Sequence, residues 1–139
     1  MSEEGLGLRF KVRIDGQDMG NWQKVDGLAM EYDIKEYEEG GENGFVHKLP
    51  GRVKFQNVKL IRPVDASSST VSAWVNSLQV RMVPSTAEIS VLDPTGATVA
   101  DWHLVGVYPV RWTGPSLDVN SNQWATETLE LAHNGFMGL

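Results

Sequence analysis

The residues that most invite an acid–base or metal reading are His47, His103 and His133, and the carboxylates Glu127 and Glu130. A metal site needs ligands at short repeated spacings. The three histidines lie far apart, and none belongs to such a set. They are expected to be surface or strand residues. Glu127 and Glu130 differ by three positions, which in a strand places them on opposite faces. They therefore cannot form a catalytic pair, and one solvated and one interface-facing charge is expected. There is no Gly-x-Ser-x-Gly nucleophile elbow. Ser116 follows Gly114-Pro115, but spacing identifies no partner for it.

The most unusual segment is Glu38-Glu39-Gly40-Gly41-Glu42-Asn43-Gly44, followed by Leu49-Pro50-Gly51. It is glycine-rich but lacks the Gly-Lys-Ser/Thr ending of a phosphate loop, and its three glutamates would repel an anion. Two readings remain for it: a mobile hairpin tip, or an interaction loop ordered by a partner. No cofactor is implied.

The chain has 139 residues, is 41% apolar and carries a net charge of -6. One domain spanning 1–139 is expected, large enough to bury a core without staples. Cysteine is absent, which excludes disulfides and thiolate metal sites. No Lys/Arg cluster marks a basic face, so stable nucleic-acid binding is not expected. An acidic wall would still let nucleic acid pass without sticking. Met1 to Gly5 is polar and acidic, so no signal peptide is expected. No run of about 18 apolar residues is present, so direct membrane insertion by the chain alone is not expected either.

These residues must be positioned mainly by strands. Leu8, Phe10, Val12 and Ile14 alternate with Arg9, Lys11 and Arg13, the pattern of a half-buried strand. Asp15-Gly16 supplies a turn, and Trp22 to Val25 reads as a short return strand. Residues 29–37 alternate again. Residues 53–61 do so with a change of face near Gln56-Asn57, read as a bulge or bend. Val71, Trp74, Val75 and Leu78 fall at helical spacing, predicting one amphipathic helix over about 69–80 with N-cap hydroxyls at Ser67 to Ser69. Residues 87–92 and 98–107 form a predicted hairpin around the turn Asp93-Pro94-Thr95-Gly96. Pro109 argues against a central strand beyond it. Residues 124–132 form the last predicted strand. Trp22, Trp74, Trp102, Trp112 and Trp124 are expected as core or interface anchors. Only Arg111 beside Trp112 hints at base stacking. The fold class is mainly β: a small barrel or sandwich of about seven strands with one flanking helix.

The order of motifs resembles the tail tube proteins of contractile phages and the inner tube proteins of contractile injection particles. The pieces are Phe10-Lys11-Val12-Arg13-Ile14-Asp15-Gly16, Val25-Asp26-Gly27-Leu28, Tyr37-Glu38-Glu39-Gly40-Gly41-Glu42-Asn43 and Leu49-Pro50-Gly51. They continue with Leu60-Ile61-Arg62-Pro63, Leu92-Asp93 with Gly96, Tyr108-Pro109-Val110 and Glu127-Thr128-Leu129-Glu130-Leu131-Ala132-His133.

The resemblance implies six copies closing into a ring, with rings stacked as a hollow tube inside a contractile sheath. Type VI secretion tubes share that architecture. The implied partners are the chain itself, the sheath, baseplate or hub proteins and tube-capping proteins. A luminal cargo is also implied, either a protein effector or, in a phage, DNA and tape-measure protein. Assembly in the bacterial cytoplasm followed by residence in a released or cell-associated particle, or a virion tail, would follow. On this reading Glu38, Glu39, Gly40, Gly41, Glu42, Asn43 and Gly44 form a subunit or ring contact. Residues 31–35 and 54–59, notably Glu31, Asp33, Lys35, Lys54 and Gln56, face the lumen. The alternatives are a monomeric β-barrel that binds a small ligand, and an enzyme whose site carries no sequence signature.

Overall fold

The computed structural model describes residues 7–37, 47–120 and 125–137. The acidic glycine segment 38–44 and Trp124 lie outside them. Strands β1 (Arg9–Ile14) and β2 (Gln17–Trp22) form a hairpin around Asp15-Gly16. Both turn residues have positive φ, 52° and 80°, as a two-residue turn with the strands' own twist requires. β3 (Lys24–Asp26), β4 (Met30–Tyr37), β5 (His47–Phe55) and β6 (Val58–Pro63) follow. Helix α1 (Ser68–Ser77) comes next, then β7 (Ser85–Leu92), β8 (Thr98–Thr113), β9 (Thr126–Ala132) and β10 (Gly135–Met137).

Eight strands form one antiparallel sheet in the order β2-β1-β7-β8-β9-β6-β3, with β10 added to β8. β4 and β5 form a separate two-stranded ribbon. The described residues thus hold ten strands, eight in one open sheet and two in the ribbon, where the sequence suggested a barrel or sandwich of about seven; the sheet is not a closed barrel. β8 explains the difference. Residues 98–107 pair with β7, and residues 108–113 pair with β9. One 16-residue strand therefore serves both halves of a folded-over sheet. Pro109 is accommodated because β7 pairing ends at Val107, and the β9 register shifts between Pro109 and Arg111. A proline can sit in a long strand where one side is free of ladder bonds.

The core lies between the two halves. Alternation brings Val12 and Ile14, and Ala87 and Ile89, from one side, and a register shift opposite Ser85 and Ala87 turns both Leu104 and Val107 inward beside them. Val58 and Leu60, and Leu129 and Leu131, come from the other. α1 covers one end through buried Val71, with Trp74 and Val75 packed beside it. The helix ends at Ser77, three residues short of the expected limit. Ser67 is its N-cap but makes no side-chain capping bond; the Ser67 N–H instead donates to Asp65 Oδ1 at 2.7 Å. Among the described residues no helix is long and apolar enough to cross a membrane.

The turn Asp93-Pro94-Thr95-Gly96 forms as expected, with the Gly96 N–H donating to the Asp93 carbonyl at 2.9 Å. Asp93 Oδ1 also accepts from the Thr95 hydroxyl, the Thr95 N–H and the Ala97 N–H, at 2.6, 2.9 and 3.0 Å. The Thr95 hydroxyl, followed by the Ala97 N–H, holds the Asp93 carboxyl below its ordinary value of 3.8. A lowered carboxyl pKa contributes stability above the unfolded value and loses it as pH falls through the folded one. Asp93→Ala is therefore expected to lower the urea midpoint at neutral pH. The difference from the unmodified chain should begin to shrink as pH falls below 3.8 and be lost once pH is below the folded value. A pH-independent difference would refute the carboxylate's role.

Candidate assembly surface

β3 and β4 run on one strand line, and β5 and β6 on the opposite one. Asp26 pairs with Lys59, and Met30 pairs with Phe55. Four steps on one strand thus match four on the other, so the register continues across the interruption at residues 27–29 and 56–57. The Gln56 N–H still donates to the Ala29 carbonyl there, at 3.3 Å. Gly27 (φ 95°) permits the break, since a Cβ on it would lie 2.1 Å from the Asn57 carbonyl oxygen. The expected bend near Gln56-Asn57 is therefore a strand break that separates a body segment, β6, from a projecting one, β5. At about 3.3 Å per residue the β4–β5 arm extends roughly 26 Å.

The two faces of the arm differ in chemistry. Met30, Tyr32 and Ile34 on β4, with Val53 on β5, are all exposed; Tyr32 is 54% and Ile34 52% accessible. At the arm's base Phe55 packs against the body, its ring centroid 5.4 Å from His133 and 5.9 Å from Phe136. The apolar face is thus joined to buried side chains of the body at that point. On the opposite face Glu31 stands across from Lys54, and Lys54 Nζ lies 3.1 Å from Asp33 Oδ1. Gln56 shares a shallow groove with Asp26, Asn57, Lys59 and Glu130. The structure therefore brings Glu31, Asp33, Lys54 and Gln56 to one polar side. Lys35 lies on β4 opposite Leu49. Within 54–59, Phe55 and Val58 are exceptions: Phe55 packs against the body and Val58 is fully buried in the core.

The other candidate residues separate. Glu127 is neither solvated nor at an interface: it is 0% exposed, and Arg62 Nε donates to its Oε1 at 2.6 Å. Arg62 Nη1 donates to the Met19 carbonyl at 2.7 Å, and the guanidinium sits 4.0 Å over the Trp22 ring. Gly20 (φ 88°) makes this room, because a Cβ there would come 2.5 Å from Arg62 Nη1. Phase could have revealed the pair. Glu127 is in step with Leu129 and Leu131, Arg62 with Val58 and Leu60, and the two are direct cross-strand partners.

Glu130 points the other way and accepts from Asn57 Nδ2 at 2.9 Å. His133 is buried between aromatic rings, and its Nδ1 accepts from the Gly135 N–H at 3.1 Å. His103 lies 3.9 Å from Glu88 and 3.6 Å from Asp101 through opposite ring nitrogens. That geometry cannot chelate one ion, and no metal-holding group of three ligands occurs among the described residues. Ser116 is an exposed loop residue. His47 begins β5.

The described residues form a two-layered β fold with a projecting ribbon whose apolar side chains are exposed. The chain matches the family described as T4-like virus tail tube protein gp19 over residues 7–137, and it belongs to that family. It is a structural tube subunit and not an enzyme, which displaces both the ligand-binding and the enzymatic alternatives.

Among solved structures, it is similar to a chain in the sheath-tube complex of an extracellular contractile injection system, PVC, in the extended state. Identity there is 27%, coverage 93% of this chain and 86% of that one, and the TM-score 0.78. It is also similar to a chain in the baseplate of the anti-feeding prophage, at 25% identity, 94% and 90% coverage and a TM-score of 0.74. Hcp1 from Flavobacterium johnsoniae shares the fold, at 15% identity, 90% and 89% coverage and a TM-score of 0.51. Among proteins of curated function, none matches the chain in sequence.

Proposed function

We propose that six copies of this chain close into a ring through the β4–β5 arm, and that rings stack into the inner tube of a contractile injection particle. The carrying observation is the arm's apolar face. Met30, Tyr32, Ile34 and Val53 are exposed on a ribbon outside the main sheet. An apolar strand surface with unpaired edges is an association surface. A second copy laid along it would bury the face and pair the edges, the requirement for a closed barrel around a lumen. The anti-feeding prophage baseplate that holds a similar chain was solved with 6-fold symmetry, which supports the ring number.

The partners follow from the same relatives: further copies, a sheath, a baseplate, and a cap of the kind that terminates the anti-feeding prophage tube. The similar chain in the PVC sheath-tube complex belongs to an extracellular contractile injection system, which favours a protein cargo over phage DNA. The particle would assemble in the bacterial cytoplasm before release or attachment. In the sequence residues 38–44 join β4 to β5, and on this reading they reach the next ring or subunit.

Purified chain is expected to sediment as rings and tubes and to show hollow rods by electron microscopy. A species no larger than a dimer at all concentrations, even when seeded with preformed tube, would refute the proposal. Deleting Glu39 to Asn43 should leave the circular dichroism spectrum unchanged but prevent long tubes; normal tubes from the deletion would remove the loop from the contact.

A further inference from the structure

The outward faces of the two halves each carry a row of charges that alternates across strands. On the β3–β6–β9–β8 half, Asp26 pairs with Lys59, Lys59 with Glu130, and Glu130 with Arg111. The alternate positions Val25, Leu60, Leu129 and Trp112 pack on the core, so this row points away from it. On the β2–β1–β7–β8 half, Asp18 pairs with Arg13, Arg13 with Glu88, and Glu88 with His103. Val12, Ile14, Ala87 and Ile89 face the core there. The rows therefore lie on opposite outward faces of one subunit, and a tube has only one inner wall.

The arm distinguishes them. Its polar side joins the first row directly, because Gln56 shares a groove with Asp26, Lys59 and Glu130. The sign alternation also continues along the arm, in Lys54 opposite Glu31. Resting on the tube reading above, we infer that the Asp26–Lys59–Glu130–Arg111 row forms the lumen wall with the arm's polar side, and that the Asp18–Arg13–Glu88–His103 row lies on the tube's outside. Such a wall offers every charge an opposite neighbour and no run of one sign. A phosphate backbone finds no cluster of cations to displace its counterions, and a polycation finds no acidic track. The surface suits a polypeptide of mixed charge that must slide without lasting contacts.

The chain has no cysteine, so single-cysteine variants report one position each. Lys59→Cys and Arg111→Cys probe the first row, and Arg13→Cys the second. In free subunits all three should react with both N-ethylmaleimide and a bulky polyethylene-glycol maleimide. In assembled tubes Arg13→Cys should keep both reactions, while the first-row variants should keep the small one and lose the bulky one. Bulky labelling of Lys59→Cys and Arg111→Cys in tubes as fast as in free subunits would overturn the lumen assignment. Loss of both reagents would also overturn it, by placing the row in a subunit contact. Unmodified chain that never forms tubes would instead refute the tube reading itself, a failure visible before any labelling.

Discussion

Replacing Glu127 by Ala is expected to destabilise the isolated subunit by about 3 kcal/mol, the cost of taking from a buried charge its buried counter-ion and leaving it only the half-exposed Asp65 at 3.7 Å. Arg62 is 1% exposed and Glu127 0%, so water cannot replace the lost partner without disrupting the core. Arg62 also holds the Met19 carbonyl and stacks on Trp22. The loss therefore loosens β2, β6 and β9 together. Against a typical total of about 5–15 kcal/mol this is a large fraction. With a urea slope of about 2 kcal/mol per molar, the midpoint should fall by roughly 1.5 M. Circular dichroism can report the transition.

The double variant Arg62→Met/Glu127→Leu removes both charges and replaces them with apolar volume. It should recover most of the loss, since a buried ion pair contributes little net stability over a packed apolar pair. A midpoint shift under about 0.5 M for Glu127→Ala would show that the pair is not the strut described.

That pair also shows where the sequence was legible and where it was not. β1, the Asp93 turn, α1 and the register-setting Asp15-Gly16 follow from period and turn chemistry, and each is present. The expected return strand from Trp22 to Val25 instead straddles the end of β2 and the start of β3, because Gln17-Asp18-Met19-Gly20-Asn21-Trp22 does not alternate: its buried residues, Met19 and Trp22, are three apart. The cause is the register shift opposite Lys11 and Arg13, a feature of pairing with a neighbour and not of the strand itself. The change of phase at Gln56-Asn57 was visible in the residues. That it divides body from arm depends on where β9 lies beside β6, which local pattern does not encode. Glu127 was misplaced by treating charge as a sign of exposure, although its phase with Leu129 and Leu131 pointed inward.

Substituting Ile34 by Asp is expected to abolish tube formation while leaving the subunit folded. In the free subunit Ile34 is 52% accessible, so the change should fall within about 0.5 kcal/mol of neutral. If the arm lies on a second copy, the same position becomes buried at each contact. The lost apolar burial is about 1 kcal/mol for a half-exposed side chain. An ionised carboxylate pressed into that surface without a partner costs several kcal/mol more. Each ring would repeat the penalty at every subunit. Sedimentation and electron microscopy should show monomers only, while circular dichroism and the urea midpoint match the unmodified chain.

Lys54→Ala is the contrasting change. Its ion pair with Asp33 is solvent-exposed and contributes about 0–1 kcal/mol, so tubes should still form. Normal-length tubes from Ile34→Asp would exclude the apolar face as the assembly contact. Loss of tubes from Lys54→Ala, with Ile34→Asp unaffected, would move the contact to the arm's other side.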